Sequence, residues 1–471
     1  MPLTGTGDVN TYALFAELFA KIAARAGVIV PTGIATDATT APFFADLVQK
    51  QRLSALIDFE NRDAIFPGVH RSYKFSLLAL TKQTKAARFS FFLTSAAQIA
   101  DADRRFALSP AEIAAINPNT RTAPVFRSKA DAELTKQIYA RVPVLIDDSK
   151  DKDGNPWGVQ VYTRIWHMAE DAEWFRTALQ LAGAGFVRDG RDWVSPNPGE
   201  RYVPLYEAKM IHHYNHRWAT YEGGAAEDKA RDSTDAERAD PAFEAEPRYW
   251  VPEAEVASRL TAKGWTRGWL MGWRDITNAT NERTVIAGAI PRSGVGHTSP
   301  LFFLSAEPPK WAAFLAVMSS IALDYVARQK IGGTHLTYGY LNQFPWPSPS
   351  AFTETDLAFI VPRVLELTYT SHSMKPFAED LCYSGNAPFP WNEDRRVTLR
   401  AELDAKIAKL YGLTRDQLRY ILDPADIYGP AYPSETFRVL QKNERAKYNG
   451  DYRTARLVLE AWDRMDRGEL K

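Results

Sequence analysis

The chain has 471 residues, of which 45% are apolar, and its 57 basic and 57 acidic residues give a formal net charge of zero. This length suffices for two or three hydrophobic cores, and the apolar content excludes a disordered protein. Because the charges balance, any binding of nucleic acid must rest on local rather than overall charge.

The cysteine content and the N-terminus both indicate a cytoplasmic protein. Cys382 is the only cysteine, which excludes an intramolecular disulfide and a thiolate metal site. The first residues carry neither the basic nor the apolar stretch of a secretion signal. Residues 311–329 predict a core helix, since their apolar part ends at Asp324 and is too short to span a membrane.

The first eighty residues predict a small α/β sheet. Residues 10–26 and 40–51 have apolar side chains at helical spacing, with Gly27 in the position of a C-cap. Three apolar stretches predict strands, namely VIV (28–30), LSALIDF (53–59) and KFSLLAL (74–80). Three strands make a poor sheet, and VIV would form an apolar edge that invites pairing. We therefore expect the neighbouring strand to come from another chain or from further residues of the same protein.

Short motifs that look like catalytic or cofactor sites are better interpreted as turns. Three Asn-Pro pairs, at residues 117–118, 155–156 and 197–198, lack the second proline or the ring that would hold an extruded base. Glycine pairs within 5–7, 223–224 and 332–333 do not join a strand to a helix as a cofactor loop does. Gly294 and Gly296 follow the stretch TVIAGAI, where a DNA contact and a plain turn fit equally well. The acidic residues 222–246 predict a surface loop.

One pattern leaves a nuclease open as an alternative. Asp192 and the triplet Glu207-Ala208-Lys209 have the spacing at which two carboxylates hold magnesium while a lysine orients water. The pattern is short and occurs often by chance.

A histidine-rich segment follows this triplet. His212 and His216 are four residues apart, but no glutamate follows His212 as the zinc-protease pattern requires. A structural role is favoured for any one of these histidines. Contact with DNA is the next interpretation, and His213 and Arg217 are the candidates for it.

Residues 248–292 have the strongest nucleic-acid signature. Arginine, tryptophan and asparagine alternate there, which suits base edges in the major groove and phosphate contacts. The alternative is that the tryptophans form a core and the arginines a solvated face. The candidate DNA contacts are Arg267, Arg274, Asn278, Asn281, Arg283 and Arg292, together with His297 in the glycine loop, and the preferred readers are Arg274, Asn278, Asn281 and Arg283.

The last part of the chain predicts helices. Leu403, Ile407 and Leu410 have helical spacing and continue into Leu418 and Ile421 across a break at Gly412. The nearly balanced charges of this part predict a solvated scaffold that closes over a duplex.

Segments along the whole chain carry a family resemblance. In chain order they are PLTGTGDVNTYALFAE, VPTGIATD, DFENRDAIFP, HRSYKFSLLAL, NPWGVQVYTRIWHMAEDAEWF, PLYEAKMIHHYNHRWATY, NERTVIAGAIPRSGVGH, LDAKIAKLYGLTRDQLRYIL and SETFRVLQKNERAKYNGDYRTARLVLEAW. These segments resemble the adenine-specific DNA methyltransferases of type IIG restriction–modification systems and their phage-defence relatives. The family's nuclease, its S-adenosylmethionine loop and its Asn-Pro-Pro-aromatic turn have no counterpart in this sequence.

The resemblance implies a fold and a division into domains. The fold would be an α/β remnant of a Rossmann-like methyltransferase sheet, followed by an α+β target-recognition domain and an α-helical C-terminal region. The incomplete methyltransferase domain would occupy residues 1–100, a connector 101–155, the target-recognition domain 156–350 and the helical region 351–471.

The resemblance also implies a function. The chain would recognise double-stranded DNA and present one adenine to an N-terminal methyltransferase half that binds S-adenosylmethionine. That half would come from the same gene or from a separate chain, and no catalytic, cofactor or metal residue is expected here. The alternatives are a DNA-specificity subunit without catalysis and the nuclease.

Overall fold

The computed structural model describes every residue except 6–8, 38, 197–198, 223–228, 332, 435 and 471. The Asn197-Pro198 pair, the Gly223-Gly224 pair and part of the acidic segment therefore lie outside the described residues, as do Gly7 and Gly332.

The described residues form a mixed α/β structure with several sheets and a helical C-terminal region, as predicted. The strands are β1 (Ala26–Pro31), β2 (Leu53–Glu60), β3 (Lys74–Leu80), β4 (Ala87–Leu93), β5 (Phe106–Leu108), β6 (Gln160–Tyr162), β7 (Val187–Asp189), β8 (Asp192–Val194), β9 (Arg201–Tyr206), β10 (Ala219–Tyr221), β11 (Ala230–Asp232), β12 (Trp250–Pro252), β13 (Trp269–Trp273), β14 (Ala287–Pro291), β15 (Gly294–Val295) and β16 (Leu301–Phe303).

Helices occur along the whole chain, and the regular elements described after residue 353 are all helical. The α-helices are α1 (Thr11–Ile22), α2 (Gly33–Thr36), α3 (Ala41–Gln49), α4 (Pro110–Ile116), α5 (Lys129–Arg141), α6 (Ala178–Gly183), α7 (Asp235–Ala239), α8 (Glu253–Thr261), α9 (Pro308–Met318), α10 (Ile321–Lys330), α11 (Tyr338–Leu341), α12 (Glu354–Thr368), α13 (Lys375–Asp380), α14 (Glu393–Leu410), α15 (Arg415–Leu422), α16 (Pro424–Tyr428), α17 (Arg438–Lys447) and α18 (Arg453–Asp466).

The chain folds into two compact units that do not follow the predicted domain boundaries. Unit 1 comprises residues 1–154, 342–346 and 411–436, and unit 2 comprises 155–341, 347–410 and 437–471. Residues 101–154 are thus part of unit 1 rather than a separate connector, and the C-terminal helices are divided between the units. A buried carboxylate gives one reason, because Asp131 of α5 accepts hydrogen bonds from Tyr420 Oη and Ser434 Oγ.

The sheet of unit 1 has five strands in the order β1-β3-β2-β4-β5. β3 is antiparallel to both neighbours, so that Leu78 faces Val28 on one side and Leu56 on the other. β4 is parallel to β2, and β5 is antiparallel to β4. β1, β2 and β4 therefore run in the same direction and end at one side of the sheet, which we name the carboxyl edge.

The three predicted strands lie in β1, β2 and β3, but the expectation of a three-stranded sheet is wrong because β4 and β5 extend it. Helix α1 ends earlier than predicted, since the chain is already extended at Ala23 (φ −119°, ψ 135°). Gly27 consequently lies inside β1 and is not a C-cap. Within the described residues, no strand pairs with the outer side of β1, where Ile29 is 58% exposed.

Unit 2 is built around two larger sheets and a hairpin. One sheet has the order β12-β9-β8-β7, with β15 parallel to β9, and the other has the order β14-β13-β16-β6. Trp269 and Trp273 of β13 are fully buried, with Trp269 packed against Trp311 of α9 at 5.0 Å between ring centroids. The tryptophans of this region therefore form core, as the alternative interpretation proposed.

The helix predicted over residues 311–329 is two helices, α9 and α10. They are separated at Ser319 and Ser320, where Ser320 Oγ caps α10 by accepting a hydrogen bond from the Leu323 amide. Among the described helices, none is alone long and apolar enough to cross a membrane. α9 and α10 meet that criterion only as a pair bent by 56°.

Candidate nucleic-acid interface

Arg217, a predicted DNA contact, lies in the interior of unit 2. Its side chain is fully buried, and its guanidinium donates to the backbone carbonyls of Arg238, Asp240, Phe243 and Thr370. A guanidinium with this many internal acceptors joins distant segments of the fold. The structure thus corrects the prediction, because Arg217 stabilises unit 2 and does not face a duplex.

His213 is also buried, and burial lowers the pKa of its imidazole well below the usual value. Neither ring nitrogen has a hydrogen-bond partner within the described residues. The neighbouring His212 packs on Trp218 at 4.3 Å between ring centroids, and His216 Nε2 lies 2.9 Å from Ser371 Oγ. The histidine segment is therefore an interior turn, and the prediction of DNA contact for His213 is corrected in the same way.

Arg283, a preferred reader, is held by a buried carboxylate. Its Nε donates to Asp324 Oδ2 at 2.6 Å and its Nη2 donates to the Ser319 carbonyl at 2.8 Å. Asp324 is fully buried on α10 and also accepts from Arg328 Nε at 3.0 Å. The guanidinium of Arg283, which was predicted to contact DNA, is instead hydrogen-bonded to the buried carboxylate of Asp324.

Arg274, the other arginine among the preferred readers, is mostly enclosed. Its Nε donates to the Ile211 carbonyl at 2.7 Å, and burial lowers the pKa of its guanidinium to about 10. Arg274 and Arg283 consequently position the backbone around them. The structure corrects their assignment as base readers.

The loop between β13 and β14 brings two asparagines towards the surface. Asn281 is exposed, and its side-chain amide makes no hydrogen bond within the described residues, whereas its backbone amide donates to the Asn278 carbonyl at 3.0 Å. Asn278 is half-buried, and its Oδ1 accepts from the amide and hydroxyl of Thr280, each at 2.8 Å. Arg328 of α10 fixes the loop from below by donating to the carbonyls of Ala279, Asn281 and Glu282.

Further side chains extend this surface across several loops. The Asp275 amide donates to the Thr298 carbonyl at 3.0 Å, and Asp275 Oδ2 lies 2.8 Å from His335 Nδ1. The rings of His167 and His297 lie 4.7 Å apart. We name this surface the loop rim and define it by Arg164, His167, Asp275, Ile276, Asn281, His297, His335 and Tyr338.

The chemistry of the loop rim suits hydrogen bonding and apolar contact more than charge neutralisation. An asparagine amide can both donate to and accept from an adenine edge. Burial and the neighbouring His167 lower the pKa of His297, which favours the neutral form of its ring. Ile276 and Tyr338 are 56% and 54% exposed, which gives the rim two apolar contacts.

Arg267 and Arg292 lie away from the loop rim, at the opposite end of β13 and β14. Arg267 pairs with Asp380 at 2.8 Å and lines a cavity of about 640 Å³ together with Thr266 and Glu307. Arg292 is half-buried, and its backbone amide donates to the Gly268 carbonyl. The predicted set of nine residues is thus not one surface.

The residues of the nuclease pattern are engaged within unit 2. Asp192 Oδ2 pairs with Arg201 at 2.8 Å, and Glu207 Oε1 accepts from Tyr221 Oη at 2.7 Å. Lys209 Nζ lies over the Tyr221 ring. Among the described residues, no group of three or more His, Cys, Asp or Glu side chains is placed to hold a metal ion.

Several members of the loop rim were missed from the sequence, namely Arg164, His167, Asp275, Ile276 and Tyr338. Ile276 stands between polar residues in a loop, which was an available signal, whereas the meeting of His167 with His297 depends on the tertiary fold. The interpretation of two Asn-Pro pairs as turns is confirmed, because Asn155 bonds the Val159 backbone through both its donor and its acceptor, and Asn117 donates to Thr122.

Comparison with known proteins gives structural neighbours only. No family model and no curated protein matches the chain. One similar solved structure is the type IIG restriction endonuclease BpuSI, at 11% identity and a TM-score of 0.29, covering 87% of this chain and 50% of BpuSI. Another is the type IIL restriction–modification enzyme MmeI in complex with DNA, at 10% identity and a TM-score of 0.36, covering 91% of this chain and 51% of MmeI. The chain thus spans about half the length of these neighbours.

Proposed function

We propose that this chain is the DNA-recognition part of an adenine-specific, S-adenosylmethionine-dependent DNA methyltransferase of a restriction–modification or phage-defence system. It selects the DNA sequence and presents one adenine to a methyltransferase half that pairs with unit 1. The observation that carries the proposal is the unit 1 sheet, in which β3 runs in reverse between β1 and β2 and β1 keeps an open apolar edge.

This arrangement agrees with what the sequence resemblance implies. The closing strands of a methyltransferase sheet end in a reversed strand, and the strands that carry the catalytic turn precede them. An open edge exposes unpaired backbone donors and acceptors, so another strand can extend the sheet there. The proposal assigns that place to the methyltransferase half.

A strand-to-helix turn with a glycine in the described part of unit 1 does not fit the cofactor. Among the described parts of unit 1, the turn from β1 into α2 joins a strand to a helix at Gly33, but the carboxylate of Asp37 and the hydroxyl of Tyr12 fill the space against it. We therefore assign cofactor binding and methyl transfer to the other half and derive no step through the cofactor.

The loop rim of unit 2 is the proposed reading surface. Asn281 offers its side-chain amide, His297 an imidazole ring, and Ile276 an apolar contact such as the thymine methyl group accepts. Their supporting residues, Arg283 and Arg328, hold the loop in one conformation through Asp324. Such support lowers the entropy cost of binding.

The test is selection of bound sequences from a randomised duplex pool by the full chain. We expect one enriched motif that contains an adenine, and an unselective pool would contradict the proposal. Calorimetric titration with S-adenosylmethionine should give no heat of binding, and co-expression with a chain that supplies the preceding strands and the Asn-Pro-Pro-aromatic turn should restore methylation.

A second candidate, a DNA-specificity subunit without catalysis, is favoured by one observation. The unit 1 sheet has five strands instead of three, and α5 and α15 pack into the same unit. Such a unit is better able to fold alone. The behaviour of the β1 edge in solution separates the two candidates.

A further inference from the structure

The loop between β2 and β3, residues 61–73, is organised from within by one side chain. Asn61 is fully buried, and its Nδ2 donates to the carbonyls of Phe66 at 3.0 Å and Val69 at 2.8 Å. Its Oδ1 accepts from the Phe66 amide at 2.9 Å, and its own amide donates to the Tyr73 carbonyl, which closes the loop. The backbone of this loop is therefore fixed before any partner binds. We name residues 61–73 the Asn61 loop.

The Asn61 loop exposes large apolar side chains although its backbone is ordered. Phe66 is 38% and Tyr73 64% exposed, and Ile65 and Val69 are exposed beside them. The ring of Phe66 is held in place, because it packs edge-on against the ring of Phe75 at 4.9 Å between centroids. The Phe75 ring in turn stacks on that of Phe59 at 5.2 Å. A row of aromatic rings thus runs from the sheet to the tip of the loop. Clustered apolar surface of this kind marks an interaction site.

The charges around the apolar tip favour an anionic partner. Arg71 is exposed and has no hydrogen-bond or ion-pair partner within the described residues. From Glu60 to Lys74 there are three cations (Arg62, Arg71, Lys74) and two anions (Glu60, Asp63), a net charge of +1 with histidine counted as neutral. Glu60 is already engaged with Arg62 at 2.8 Å and Lys74 at 3.6 Å. Arg71 is the cation that remains for a partner.

The position of the loop in the sheet gives independent support. The Asn61 loop follows β2 and lies at the carboxyl edge, where β1 and β4 also end. Ligands of open α/β sheets bind outside the carboxyl ends of the strands. Arg127 and Lys74 both lie over the Phe92 ring near this edge, at 4.0 Å and 5.0 Å from its centroid.

We propose that the Asn61 loop contacts duplex DNA, with Phe66 and its apolar neighbours pressed between base steps as a wedge and Arg71 bound to a phosphate. This inference rests on the proposed function and adds a second contact surface, on unit 1, to the loop rim. Apolar side chains inserted between base steps unstack and kink the duplex, and the bend permits further contacts. Such a wedge must be stiff, which Asn61 and the row of phenylalanine rings provide.

The experiment measures binding of the full chain to a fluorescent duplex of its selected sequence at several salt concentrations. Phe66→Ala should weaken binding about tenfold while leaving the salt dependence unchanged, because a wedge neutralises no phosphate. Arg71→Ala should lower the slope of log affinity against log salt by about one. In the parent complex, 2-aminopurine at one base step should brighten on binding, and Phe66→Ala should abolish that signal.

Control variants separate the loop from general damage. Phe66→Leu keeps an apolar tip and should retain most of the affinity for the duplex. Tyr428→Ala removes an exposed ring elsewhere in unit 1 and should leave that affinity unchanged. Parent-like binding by both Phe66→Ala and Arg71→Ala would overturn the inference and leave the proposed function intact. A parent chain that binds no duplex would overturn both. Loop variants that alter the oligomeric state and not DNA binding would show a protein contact, which also overturns the inference.

Discussion

Strand β1 of unit 1 and strand β13 of unit 2 are both mostly apolar but have opposite surroundings. β13, with the sequence WLMGW, lies between β14 and β16, and all five of its residues are buried. β1, with the sequence AGVIVP, pairs on one side with β3, and only Val30 of its residues is buried. In unit 2, neighbouring elements of the same unit therefore cover the apolar strand β13. Unit 1 leaves apolar surface that another polypeptide strand can cover.

The largest expected effect tests whether the interior of unit 2 is closed. Asp324→Ala should lower the free energy of unfolding by about 3–5 kcal/mol, because it leaves Arg283 and Arg328 without their buried partner. Urea unfolding followed by tryptophan fluorescence measures this, since all tryptophans except Trp346 lie in unit 2. Glu469→Gln, which removes an exposed partner of Arg467, is the control and should change stability by less than about 0.5 kcal/mol. Equal stability of both variants would mean that the buried network contributes little.

The next effect concerns a buried carboxylate in the more open unit. Burial raises the pKa of Asp58 from 3.8 to about 6, although Ser76 Oγ and Thr32 Oγ1 donate to it. Between about pH 4 and pH 6 the folded chain binds a proton that the unfolded chain does not, so stability falls as pH rises through this window. Asp58→Asn should remove this decline, by at most about 2–3 kcal/mol. Hydrogen exchange of β2 and β3 at pH 4.5 and pH 7 measures this fall in stability. The same fall in Asp58→Asn would show that Asp58 is not its cause.

A smaller effect separates the surface of unit 2 from its interior. Asn281→Ala should reduce discrimination between cognate and scrambled duplexes by about 1–3 kcal/mol, because it removes one base-edge contact. Arg274→Ala should instead reduce stability and weaken both duplexes alike, since its guanidinium bonds the Ile211 carbonyl. Arg395→Ala, whose guanidinium pairs with Glu366, serves as the exposed control. Equal losses on both duplexes for Asn281→Ala would remove it from the reading surface.

The smallest effect on stability tests the open edge of unit 1. We expect the parent chain to self-associate through β1 and Ile29→Lys to be monomeric with unchanged stability, because a charge on an edge strand prevents pairing. Light scattering over a range of concentrations measures the association. A monomeric parent with slow hydrogen exchange at residues 28–30 would favour the specificity subunit over the split enzyme.

The elements of unit 1 show what the sequence could predict. Apolar stretches indicated β1, β2 and β3. In the stretch ARFSFFL of β4 apolar residues alternate with others, and Phe89, Phe91 and Leu93 are buried. That signal was present but was not used. The end of α1 could not be predicted, because a glycine at position 27 is typical of a C-cap. In the structure the chain is extended there, and Gly27 lies inside β1.

The arginines of unit 2 show why the site was harder to predict. Arg283 and Asn281 are two residues apart, and the sequence gives both the same polar loop context. The buried acceptor of Arg283 is Asp324, 41 residues further along the chain. Only the tertiary fold distinguishes an arginine that stabilises the interior from an asparagine that remains available to a ligand.

The exposed thiol of Cys382 has a consequence for the stoichiometry of association. Each chain has one cysteine, and that cysteine is exposed. Oxidation can therefore join two chains through one disulfide but cannot form a larger covalent oligomer. A dimer that disappears on adding a reductant therefore belongs to Cys382. A dimer that survives the reductant belongs to a non-covalent surface such as β1. Labelling of the Cys382 thiol also places a single reporter group in unit 2 without any substitution.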